Sequence, residues 1–440
     1  MLMEPNPTSP RRAVRNPRVW LFPAIVVTVL MTLLAGFYLD SIADPQGSLH
    51  DFPVALVNQD EGETVPGPQG EQRQNFGDQI TSAIVANVDP NMFDLRQVGI
   101  AEAQQEMQDG KVYGAIIIPS DFSKRLLILA ESSVVPGQVE KPAITAQSNP
   151  RAGTFASAVM DRFADQALTQ VNSTVGQQLT QTVQQQLAGP PPTPIAGASA
   201  LTLAEPVNVI NIEYNPLPGG TGNGLAAFYY SLLIVLAGFT GGMIVHTMID
   251  QALGFAPTEY GPWYRHLESI GISRFNTLLL KWSVMAALAV VVSGVFVGIA
   301  DLVGMPIERG LALYLYGALA ILAVGVSALS VLALFGTAGL LINLIIFVVL
   351  GLPSSGGTVP LEAQPEIFTF LARFEPMHQV YLGVRAILFF DAGTSAGLGR
   401  SVVATLIGLA IGLIIGVVTT RLYDRAGLHR GPAPKEPARG

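Results

Sequence analysis

The chain has 440 residues, 50% of them hydrophobic and only 13% charged, with a net charge of −8 and a pI near 5.2. So low a charged fraction calls for lipid around much of the surface, and the acidic balance argues against nucleic acid as a partner. The absence of cysteine excludes a disulfide framework and thiolate metal sites without fixing the compartment.

Arg11, Arg12, Arg15 and Arg18 precede an apolar run over 20–39. A hydrocarbon core about 30 Å thick takes about 20 apolar residues in a helix, so the run predicts span one at 19–39 behind a cytoplasmic tail at 1–18. The basic start and Ser41-Ile42-Ala43 also fit a cleavable signal peptide. The apolar core, however, exceeds the usual ~7–15 residues, and Pro45 follows the cut. A retained span is expected, and the region behind it is exported on either reading.

That region, 40–225, predicts a small α/β domain. A buried strand at 52–58 runs into the acidic turn Gln59-Asp60-Glu61-Gly62-Glu63, and a second unit begins near Val98. It holds a polar helix at 101–108, a stop at Asp109-Gly110, a strand at 112–118, a helix at 122–130 and a strand at 143–147. A long Gln- and Ala-rich helix follows at 151–187, apolar at Phe155, Val159, Phe163, Ala167, Val171, Val175, Leu179, Val183 and Leu187. Steps of four drift by about 40° each around a straight helix, so the stripe wraps a partner helix, moves from one contact to another, or serves an ordinary amphipathic helix on its own domain. Gly189-Pro190-Pro191-Pro192 ends it, a linker runs to Ser199, and a last strand spans 207–214.

Five further spans are expected at 226–248, 278–300, 311–334, 338–352 and 401–422, within a membrane domain at 226–422. The fourth of these is short, and Phe335-Gly336-Thr337 is the turn where the long apolar run doubles back. Basic residues at the N-terminus, at Arg265, Arg274 and Lys281, and at Arg421, Arg425, Arg430, Lys435 and Arg439 put both termini inside, with a cytoplasmic tail at 423–440, and 40–225 outside. Small residues at every fourth position suit close helix packing: Gly238 and Gly242, Gly294 and Gly298, and Gly408, Gly412 and Gly416. Asp250, Asp301, Lys281 and His246 fall near span ends, and only Asn343 is strongly polar in mid-span. That disfavours an ion-coupled carrier and suits Asn343 to an interhelical hydrogen bond or a substrate contact.

Between the last two spans, 353–400 is expected to be external and interfacial or re-entrant. It contains Ser354-Ser355-Gly356-Gly357-Thr358-Val359-Pro360-Leu361-Glu362, then Glu375-Pro376-Met377-His378, then Gly383-Val384-Arg385. Together with Val54-Ala55-Leu56-Val57-Asn58, Gly110-Lys111-Val112-Tyr113-Gly114-Ala115 and the one-plus-five layout, this resembles YhgE/Pip-type membrane proteins and related type-2 ABC exporter permeases. The resemblance makes Ser355, Gly356, Gly357, Pro360, Glu362, Pro376 and Arg385 the external loop motif.

No P-loop occurs, so an ATPase would be a separate chain, received at the loop 249–274 through Trp263, Tyr264, Arg265, His266 and Arg274. That loop can form an amphipathic helix along the inner surface. No catalytic, cofactor or metal constellation is visible, so the chain is not expected to be an enzyme. The resemblance implies a permease half that exports an amphiphilic or lipid-like molecule, working as a homodimer or paired permease in the cell membrane. The alternative is a non-transporting envelope receptor or scaffold acting through its external domain.

Overall fold

The computed structural model describes residues 17–67, 70–132, 140–187, 197–428 and 430. The arginines at 11–15, the Pro-rich turn at 189–192 and the basic residues at 435 and 439 lie outside them.

Helix α1, Pro17–Ala43, leads into β1, Phe52–Asn58. The run FPVALVN is buried almost throughout, as expected of a parallel strand covered on both faces. Alternation still assigns its side chains. Phe52, Val54 and Leu56 enter one core, while Ala55 and Val57 enter a smaller one closed by Ala103 and Met107. A hairpin follows, β2 (Glu63–Gly67) and β3 (Gly70–Gln74), then α2 (Phe76–Asn87), β4 (Phe93–Gln97), α3 (Ile100–Gln108), β5 (Gly114–Ile118), α4 (Phe122–Ser132) and β6 (Ala143–Ser148). The long helix α5 (Thr154–Leu187), α6 (Gly197–Ala204) and β7 (Asn208–Glu213) complete the domain. The sheet order is β4-β1-β5-β6-β7, parallel except between β5 and β6.

Two sequence expectations change here. The stretch before Val98, expected to carry only a turn, holds the β2–β3 hairpin, α2 and β4, and β4 pairs directly with β1. The linker expected up to Ser199 gives way to α6, whose Ala204 carbonyl approaches α5 so closely that a Cβ on Gly176 would sit 2.4 Å from it. Of the stripe on α5, Phe163, Val171, Val175, Leu179 and Val183 are buried, whereas Phe155, Val159 and Ala167 are only partly so, and Ala156 and Met160 take the inward places near its start. Ala156, Met160 and Phe163 enter the domain core, whereas Val175, Leu179 and Val183 continue the buried line toward the α6 end with Leu203.

The membrane portion consists of α7 (Leu225–Ala252), the hairpin β8 (Thr258–Tyr260) and β9 (Trp263–Arg265), α8 (Arg274–Leu302), α9 (Gly310–Phe335), α10 (Ala338–Leu344) continued by a π-helix Ile345–Leu350, α11 (Glu366–Ala372), α12 (Pro376–Phe389), and α13 (Gly399–Arg425). Among the described residues five helices are long and apolar enough to cross a membrane, the sequences 21–43, 225–252, 274–302, 310–335 and 394–425. The span expected at 338–352 is instead a short apolar helix of seven α and six π residues. At about 1.5 Å per residue it falls short of a bilayer core.

Rows of exposed apolar side chains, such as Val291, Val295 and Ile299 on α8 and Ile407, Ile411 and Ile414 on α13, suit lipid contact. The α/β domain caps one end of this bundle, and the β8–β9 hairpin hangs from the other.

Candidate functional site: two ends of the helix bundle

At the domain end the 353–400 segment is the seat on which the α/β domain rests. Pro376 occupies the first turn of α12, where its missing N–H costs nothing. Glu375 caps the helix, its Oε2 accepting from Met377 N at 2.5 Å and His378 N at 3.3 Å. From there α12 is buried on nearly every side against α7, α9 and α13. Gly383 makes that burial possible, since a Cβ there would fall 2.3 Å from Ser401 Oγ and 2.6 Å from the Tyr316 ring.

The loop motif expected at 355–385 converges on this seat. Gly356 takes a left-handed φ of +69°, and its neighbour Ser355 offers a carbonyl that accepts from His378 Nδ1 at 2.9 Å. Gly357 lies against Phe228 of α7, with no room for a Cβ, and Pro360 lines a small cleft with both glycines and Tyr381. Glu362 and Arg385 face the other way, into the domain. Tyr113 donates its hydroxyl to Glu362 Oε2 at 2.8 Å, and Arg385 donates to the Ala152 carbonyl at 3.0 Å beneath the Phe390 ring. Burial first, and the Glu362 carboxylate second, push the Tyr113 phenol well above its ordinary pKa, so it remains a donor.

Other contacts at the seat went unseen in the sequence. His50 N donates to the Glu362 carbonyl, Arg151 to the Phe389 carbonyl, and Ser395 Oγ to Asp109 Oδ1 at 2.7 Å. Phe390 packs into both the domain core and the bundle core. It rests on Gly110, whose φ of +62° and lack of a side chain suit a ring that would stand 2.9 Å from a Cβ. For Asp109, burial alone would raise the pKa. Hydrogen bonds from Ser395 and Lys111 outweigh it and hold the carboxyl below its ordinary value.

At the opposite end three residues noted separately near span ends come together. Lys281, only 3% exposed, donates to Asp250 Oδ1 at 2.5 Å and meets His246 Nδ1 at 3.1 Å, while His246 Nε2 lies 3.2 Å from Asp250 Oδ2. With the ammonium donating to Nδ1, the ring proton belongs on Nε2, facing the carboxylate. Arg430 adds a second cation at 2.9 Å from Asp250 Oδ2. Asp301 is remote and exposed. Beside the cluster opens a cleft of about 1020 Å³, lined in part by His246, Asp250, Phe255, His266, Glu268 and Arg430.

The loop 249–274 contains the β8–β9 hairpin rather than an amphipathic helix, because Gly261 (φ +59°) and Pro262 turn the chain between Tyr260 and Trp263. Trp263, Tyr264, Arg265 and His266 are exposed on or beside it. Arg274 is separate from this group. Its N–H and that of Phe275 are capped by Asp424, and its guanidinium lies over Tyr423.

The glycine ridges divide. Gly238 and Gly242 abut α9, Gly412 abuts Ser327, and Gly416 abuts Trp282, whereas Gly294 is loosely packed and Gly298 and Gly408 face open space. Gly325 against Met285 is a close approach the four-residue spacing did not reveal. Asn343 is fully buried and its Nδ2 donates to the Ala328 carbonyl of α9 at 3.0 Å.

A family model described as "Protein of unknown function (DUF3533)" matches residues 23–412. A curated relative, the uncharacterized protein YhgE of Bacillus subtilis (strain 168), is 24% identical over 164 residues, which is 37% of this chain and 20% of that protein. The chain therefore spans only a fifth of that relative's length. No solved structure matches.

Proposed function

The chain belongs to the family described as "Protein of unknown function (DUF3533)", and on that footing we propose that it is the membrane permease subunit of an exporter that moves an amphiphilic or lipid-like molecule outward. Energy comes from a separate ATP-binding subunit received at Trp263, Tyr264, Arg265 and His266. The observation that carries the reading is the contrast between the two ends of one bundle. One end is plugged by the buried helix α12 under the α/β domain, and the other opens into a cleft of about 1020 Å³ between α7, the 254–269 loop and the α9–α10 turn. A permease resting with its inner side open has this form.

In this reading residues 40–225 are extracytoplasmic and both termini cytoplasmic, in the cell membrane, supported by Arg11, Arg12 and Arg15 before α1 and Arg18 in its first turn. The short helix α10 and the segment after it make a sixth crossing, and two copies or two related permeases pair through lipid-facing surfaces. The test is purification of the tagged full chain in mild detergent, followed by assay of bound ATPase. The expected result is an ATP-binding subunit whose turnover rises on assembly and is lost when 263–266 is replaced by alanine. Absence of any such subunit, with a phenotype unchanged by the replacement, would contradict the reading in favour of a receptor or scaffold.

A further inference from the structure

Glu375 is the one carboxylate of the seat buried without a cation beside it, being 5% exposed. Its two oxygens have unequal surroundings. Oε2 accepts both capping N–H bonds, from Met377 and His378, while Oε1 is buried with no partner. An ionised carboxylate carries charge on both oxygens and needs donors at each. A neutral carboxylic acid needs donors at only one oxygen, the other carrying the proton, which fits an Oε2 that is capped and an Oε1 that no donor reaches. Oε1 is directed at the backbone of Gly351, where an added Cβ would lie 2.9 Å from it and 2.8 Å from the Phe347 carbonyl oxygen. Oε1 and the Phe347 carbonyl oxygen both border Gly351 at the end of the π-helix, and no donor approaches Oε1 there.

Among the described residues no charge on the surrounding elements compensates an anion at this position. Glu366 on α11 and Arg373 just past it are exposed, as are Asp40 on α1 and Arg400 on α13. Arg385, on the same helix, is engaged with Ala152, and His378 donates Nδ1 to the Ser355 carbonyl. Tyr38 on α1 donates to the Val348 carbonyl. The 353–355 turn and the π-helix bring no titratable group, and the outer turns of α7 bring only Tyr229 and Tyr230.

We propose that Glu375 is a proton-binding site that ties the seating of α12 to protonation: the carboxyl holds a proton on Oε1 while α12 is docked, and its loss loosens the first turn of the helix. The proton comes from bulk water and returns to it. Desolvation by burial, opposed by the two backbone N–H bonds, pushes the carboxyl up to about 8. Because the folded value is raised, the stability it contributes is full in acid and is lost as pH climbs through that value. The inference holds whether or not the chain works with an ATP-binding subunit.

The experiment is infrared spectroscopy of the full chain in lipid nanodiscs, wild type against Glu375→Gln. Glutamine keeps an oxygen for the cap and a donor at the other position, and so mimics the protonated acid. The expected result is a carboxylic-acid carbonyl band at neutral pH that shifts in D2O, fades toward alkaline pH and is missing from the glutamine variant. The melting temperature of the wild type should fall as pH rises from about 4.5, the ordinary carboxyl value, to about 8, and that of the variant should fall less. No such band at neutral pH, or its persistence in Glu375→Gln, would overturn the proposal. So would a band or melting point that responds to sodium at fixed pH, which would make the ligand a metal cation. Should the glutamine variant fail to assemble, Glu375→Asp decides: a shifted band supports the assignment and an unmoved one overturns it.

Discussion

Gly408 and Gly416 lie on one helix and tolerate substitution very differently. A side chain at Gly416 must displace the Trp282 ring, 2.4 Å from where its Cβ would stand, whereas one at Gly408 enters open space. Gly416→Val is therefore expected to cost about 1–3 kcal/mol through overpacking, and Gly408→Ala to leave the melting temperature in detergent near wild type. Spacing alone had placed both in one packing ridge, since a four-residue repeat identifies a helix face without saying what stands opposite.

The Asp250 cluster carries a second residue-scale expectation. Asp250→Ala strands Lys281, which is 3% exposed, at a cost of about 3–5 kcal/mol, as expected for breaking a buried ion pair. The double variant Asp250→Ala/Lys281→Met should be more stable than the single one by thermal unfolding. The sequence named all four side chains but not their meeting, because Lys281 and Arg430 stand 31 and 180 residues from Asp250.

At the scale of elements, what was legible followed apolar pattern. The run at 52–58 gave the interior strand β1, and the apolar stripe from Phe155 gave the long helix α5. The stretch from Glu63 to Gln97 was not legible. Its hairpin contains Pro66 and two glycines, and β4 reads FDLRQ, a polar edge strand only partly buried. The aromatic residues of the 258–265 hairpin looked equally fit for a helix, and the Gly261-Pro262 turn decided otherwise. In the 353–400 segment the motif residues could be picked out, but not their division into a bundle-facing group around Gly357 and a domain-facing pair, Glu362 and Arg385.

That division predicts behaviour. Tyr113→Phe removes the donor to Glu362 and should cost about 1–3 kcal/mol at the seat. Hydrogen exchange would register this as faster exchange across 353–400 with the helices α8 and α9 unchanged. Asp109 gives the same junction a pH dependence. Its folded pKa is lowered, so its contribution is present above the unfolded value and is lost as pH falls through the folded one. Ser395→Ala should reduce that acid sensitivity, seen as exchange at 390–398 that depends less on pH.

On the scale of the whole molecule, the two ends of the bundle have opposite characters. The domain end is tied by hydrogen bonds and by Phe390, shared between two cores. The hairpin end has exposed aromatics, a large cleft and one carboxylate holding Lys281 and Arg430. The proposed export function requires these ends to lie on opposite sides of the membrane, with the cleft inside. The chain has no cysteine, so single cysteines report without background. The most direct measurement is labelling of intact cells with a membrane-impermeant maleimide, comparing a cysteine at Gln170 on α5 with one at Trp263 on the hairpin. The expected result is that the α5 position reacts in intact cells and the hairpin position reacts only after permeabilisation. Labelling of the hairpin position in intact cells, with the α5 position protected, would contradict the account.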